Sequence, residues 1–91
     1  MNNELNGVDQ NDVEELANYS VSLRDSEVGI FIREIEPHFF KISLRSKEYV
    51  DVSRVAAQFD GGGHVRASGC RFKGEYKELL KSIVSVIEEQ L

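Results

Sequence analysis

The run VGIFIREIEPHFFKISLR, residues 28–45, decides the fold. Val28, Ile30 and Ile32 share one face, and Phe40, Ile42 and Leu44 alternate with Lys41, Ser43 and Arg45. That period of two is the signature of strands. Glu36-Pro37-His38-Phe39 between the two runs fits a tight turn with proline at its second position. A hairpin is therefore expected, with strands over 28–35 and 39–45. Phe31, opposite Ile30 and Ile32, predicts a first strand covered on both sides.

Downstream of the hairpin, Asp51 is placed to cap a short helix in which Val52, Val55, Ala56 and Phe59 fall at helical spacing. Gly61-Gly62-Gly63 stops that helix, and 70–73 reads as a short strand. Residues 75–91 carry the strongest helical stripe: Tyr76, Leu79, Leu80, Ile83, Ile87 and Leu91. Upstream, Asn11 and Glu14 have capping-box spacing, and Val13, Leu16, Ala17 and Ser20 predict a helix over 11–23. Residues 1–10 are polar and aperiodic, as expected of a disordered leader or an expression remnant, leaving 11–91 as one domain. The expected architecture is α/β: a single small mixed sheet, built from the hairpin plus a further strand, flanked by helices and ending in a long C-terminal helix.

Size and composition narrow the function. Ninety-one residues with 41% hydrophobic content support one small core. No apolar run approaches the roughly 18 residues of a membrane span, so no membrane partner is expected. A single cysteine, Cys70, excludes an internal disulfide and suggests a reducing setting, the cytoplasm. The net charge is −5, but 41–73 holds seven bases and three acids between acidic ends. That distribution suits a local anion site better than a surface that coats nucleic acid.

One segment carries chemistry: Phe59-Asp60-Gly61-Gly62-Gly63-His64-Val65-Arg66-Ala67-Ser68-Gly69. Three successive glycines expose backbone amides and can curl around an anion. His64 and Arg66 follow at once as donors to phosphate oxygens, and Ser68 adds a hydroxyl. The pattern is neither a Walker loop, which needs Gly-Lys-Ser/Thr, nor a dinucleotide fingerprint, which follows a strand. Arg45, on the outward face of its strand, could meet the glycine segment across the sheet edge. His38, His64 and Cys70 have no metal-ligand spacing, so no metal is expected in this chain. Nor is there a nucleophile with its base, so no catalysis is expected from it alone. As a residue after the glycines, Arg66 should be dispensable for folding, so Arg66→Ala is expected to weaken phosphate binding only.

The stretch KISLRSKEYVDVSRVAAQFDGGGHVRASGCRF resembles the DHH-associated C-terminal domain of DHH-family phosphoesterases, above all the oligoribonuclease and phosphoadenosine-phosphate phosphatase subfamily. The resemblance lies in Ser-Leu-Arg-Ser, then Asp-Val-Ser opening a helix, then Gly-Gly-Gly-His followed by Ala-Ser-Gly. Asp60 stands where many members carry a fourth glycine. The resemblance implies a substrate-binding domain that grips a nucleotide or short RNA phosphate through Gly61, Gly62, Gly63, His64 and Arg66, with Arg45 and Ser68 beside them. It further implies an N-terminal DHH domain, absent from this sequence, that holds manganese and hydrolyses short RNA or phosphoadenosine phosphate. Two alternatives stay open on sequence alone. One is a regulatory or protein-interaction module that kept the fold without the ligand. The other is an RNA-binding domain like the related one that ends alanyl-tRNA synthetases, against which the net charge of −5 argues.

Overall fold

The structure, a computed structural model, describes residues 16–91. Five strands, β1 (Asn18–Leu23), β2 (Val28–Glu36), β3 (Phe39–Ser46), β4 (Gly62–His64) and β5 (Ala67–Lys73), form one sheet in the order β1-β2-β3-β5-β4. The helices are α1 (Val52–Ala57) and α2 (Tyr76–Glu88). The α/β class, the single sheet and the C-terminal helix are as expected, and every strand pairing is antiparallel rather than mixed.

The hairpin forms around Pro37 and a left-handed His38 (φ 62), the combination a type II turn requires. Val28, Ile30 and Ile32 of β2 pack with Phe40, Ile42 and Leu44 of β3 against both helices. α1 contributes Val52, Val55 and Ala56, and α2 contributes Leu79, Ile83 and Ile87. All of these lie in one cluster on one side of the sheet. The expectation of a doubly covered β2 is corrected: Phe31 is 47% exposed, and no described element covers the other face.

A second correction concerns the N-terminal helix. Residues 1–15 of the leader and helix readings lie outside the described residues, but Asn18–Leu23 is a strand. Its helical stripe was weak because it needed Ser20, whereas Tyr19, Val21 and Leu23 alternate correctly for a strand against β2. Tyr19 also stacks on Tyr76 of α2, with ring centroids 3.9 Å apart.

Asp51 caps α1 by accepting from the Ser53 and Arg54 amides. The helix ends before the glycines, not at them. Asp60 is left-handed (φ 61), the Gly61 amide donates to Ala56 O at 2.9 Å, and the Asp60 amide donates to Ala57 O at 3.3 Å. This is a Schellman closure, whose left-handed position favours glycine and tolerates Asp better than most residues. Beyond it the chain turns directly into edge strand β4, and β5 starts at Ala67, earlier than expected.

Candidate functional site

The register sorts the candidate residues onto the two faces of the sheet. Cys70, Ile42 and Ile32 face the helices, so their neighbours along each strand face outward. Three cross-strand rows result on the open face. The first runs His64–Ala67–Arg45–Gly29–Ser22, the second Gly62–Gly69–Ser43–Phe31–Ser20, and the third Arg71–Lys41–Arg33–Asn18. None of these positions is a carboxylate.

His64 and Arg45 thus flank Ala67 on one row, although they are far apart in sequence. Both are exposed. The Arg45 guanidinium makes one long bond, to Leu44 O at 3.3 Å, which leaves most of its donors facing solvent. Next to them the second row is almost without side chains at Gly62, Gly69 and Ser43. Two adjoining depressions, of about 530 and 430 Å³, run along this side and share Lys41 and Ser43 in their walls. His64 and Arg45, on one side of this floor of small residues, can hold a phosphate with its nucleoside laid on the sheet.

The glycines do not form the anion-cradling loop that their sequence suggests. A Cβ on Gly61 would stand 2.2 Å from Gly69 O, and one on Gly63 (φ 145) would stand 2.7 Å from Ala67 O. Both glycines therefore serve close packing of β4 on β5. Gly62 differs, because a Cβ there would meet nothing within 4 Å. Its missing side chain leaves room above the open face.

Ser68 and Arg66 sit elsewhere. Ser68 is buried on the core side, and its hydroxyl donates to His64 O at 2.6 Å. The sheet itself separates it from the His64 and Arg45 side chains. Arg66 donates to Val50 O at 2.6 Å, to Ser46 Oγ at 3.2 Å and to Glu48 O. The matching amides of Glu48, Tyr49 and Val50 donate to the Glu27 carboxylate. Residues 46–50 are thus clamped by an anion on their amides and a cation on their carbonyls. Burial works to raise the Glu27 pKa, but the Val50, Tyr49 and Glu48 amides and the Arg66 charge outweigh it and hold the carboxyl below its ordinary 4.5. This clamp fixes the strand end from which Arg45 projects.

Among the described residues, no group of three or more His, Cys, Asp or Glu is placed to hold a metal ion. Burial pushes the Cys70 thiol up to about 11, so it stays protonated and unreactive. The described residues hold no helix long and apolar enough to cross a membrane. Sequence reading missed Arg33, Lys41, Arg71 and Phe31. The signal for them was available: Phe31 and Arg33 of β2, Lys41 and Arg45 of β3, and Arg71 and Lys73 of β5 all fall on the outward side of their strands.

Comparison with known proteins identifies the family. The model of the DHHA1 domain matches residues 2–91. The chain is 48% identical over 40 residues to oligoribonuclease NrnB of Bacillus subtilis, a match covering 43% of this chain and 10% of that protein. It is 33% identical over 67 residues to the bifunctional oligoribonuclease and PAP phosphatase NrnA of Thermus thermophilus, covering 72% of this chain and 20% of that protein. The matched region therefore spans a fifth or less of the length of these relatives.

Proposed function

The chain belongs to the DHHA1 domain family, and from that membership we propose that it is the substrate-gripping domain of a DHH-family phosphoesterase acting on short RNA or phosphoadenosine phosphate. The observation that carries this reading is the His64–Ala67–Arg45 row beside the open space over Gly62. His64 and Arg45 take the substrate phosphate, and Gly62 lets it approach the backbone. Gly61 and Gly63 shape the strand that presents them. Arg66 is a positioning residue that holds 46–50 beside Arg45.

Hydrolysis belongs to a DHH domain of the parent protein, which would hold manganese. This domain's part in that reading is to bind and orient the substrate. A cytoplasmic parent is in keeping with the single, unpaired Cys70.

Calorimetric titration of the 91-residue chain with phosphoadenosine phosphate tests the reading. Arg45→Ser with His64→Ala should weaken binding about tenfold or more, the order expected for two lost charge-assisted contacts. Equal affinity in the double variant would remove both residues from the site. Absence of binding together with stable self-association would favour an interaction module instead.

A further inference from the structure

The third row of the open face is not used by that reading. Arg71, Lys41 and Arg33 stand directly opposite one another on β5, β3 and β2. Like charges so placed repel, because cross-strand Cβ atoms are about 5 Å apart. All three are exposed, and no ion pair to any of them occurs among the described residues. Asp60 is the one carboxylate among the described residues lining the two depressions. Three adjacent cations with no acidic partner among the described residues form a surface complementary to an anion.

The row lies four residues along β3 from Arg45, about 13 Å away at strand rise. Between the two rows stands Phe31, 47% exposed, on the Ser43–Gly69 line. Its ring leans over Gly29, where a Cβ would be 3.1 Å from it. Phosphate sites at both ends with an exposed aromatic between them match the repeat of a polynucleotide: phosphate, base, phosphate.

Resting on the phosphate site proposed above, we propose that Arg33, Lys41 and Arg71 form a second anion site that takes a later phosphate of the same single-stranded RNA, with Phe31 stacking a base between the two. The domain then grips a strand of two or more nucleotides in preference to a mononucleotide. Phe31 and the third row set chain-length preference, while His64 and Arg45 hold the terminal phosphate.

The test compares adenosine 5′-monophosphate with a 5′-phosphorylated adenosine trinucleotide, both titrated into the 91-residue chain. The trinucleotide should bind about tenfold or more tightly, the size of one stacked base and one added phosphate contact. Lys41→Ser with Arg71→Ser should erase that gain and leave monophosphate affinity unchanged. Phe31→Ala should remove part of it, and Phe31→Trp should restore it. Matched melting curves identify variants that fail to fold, and the Phe31 pair decides the matter if the lysine–arginine variant is one of them. Equal affinity for the two ligands, or a gain that survives these substitutions, would overturn the second site while leaving the first standing. No binding of either ligand would instead sink the phosphate site and the inference together. Loss of binding to a separately produced DHH domain, with the trinucleotide unaffected, would also overturn it by assigning the face to a protein contact.

Discussion

Gly61→Ala is expected to lower the unfolding free energy by about 3 kcal/mol, while Gly62→Ala, one residue on, changes it by less than about 0.5 kcal/mol. The first substitution drives a methyl group to 2.2 Å from Gly69 O and 2.7 Å from Cys70 Cβ, inside a strand pair that cannot part locally without losing its ladder. It also strains the Gly61 amide that closes α1 at Ala56 O. Gly63→Ala should behave like Gly61→Ala, for it adds a positive φ of 145 to contacts of 2.7 Å. Gly62 has neither problem. For a chain of this size the Gly61 cost corresponds to about 12 °C or more in melting temperature, which differential scanning calorimetry reads directly. Equal losses at Gly61 and Gly62 would show that the open space over Gly62 is filled, and would weaken its assignment to substrate approach.

Arg66→Ala should also be destabilising, by roughly 2 kcal/mol, reversing the expectation drawn from its place after the glycines. Three acceptors, Val50 O, Glu48 O and Ser46 Oγ, lose a charged donor. Lysine should not replace it, because one ammonium does not reproduce the guanidinium fork across separated carbonyls. The melting temperature should fall by about 8 °C or more, with phosphate affinity retained in the folded fraction. Unchanged melting with weakened phosphate binding would return Arg66 to the binding site. Acid should release the same clamp. The folded-state pKa of Glu27 is lowered, so its contribution is fully present above 4.5 and is lost as pH falls through the folded value. Denaturant curves from about pH 6 to about pH 3 should show that loss, and Glu27→Gln should flatten it.

The hairpin was legible because Val28 to Leu44 repeats at a period of two around a proline turn, and because one face of each strand had to be buried. α1 and α2 were legible from a cap and a long stripe. β1 was not, since a six-residue edge strand with three polar positions has little pattern of its own and is fixed by β2 and by Tyr76. The site was legible in its residue types more than in its geometry. Three consecutive glycines read as one loop, yet two of them serve close strand contact and one leaves open space. Ser68 and Arg66 follow the glycines in sequence, but alternation sends Ser68 to the core and the turn sends Arg66 to 46–50. Arg45 joins His64 only through the placement of β5 between β3 and β4. Pairing of that kind is a long-range property that local sequence does not encode.

The most direct test of the open sheet face as the nucleotide-gripping surface is a backbone-amide NMR titration of the chain with a short RNA dinucleotide. Shifts should cluster on Gly62, His64, Arg45, Ser43, Gly69 and Lys41, and leave the α1 and α2 amides unmoved. Shifts confined to the helical face, or none at millimolar ligand, would contradict the account.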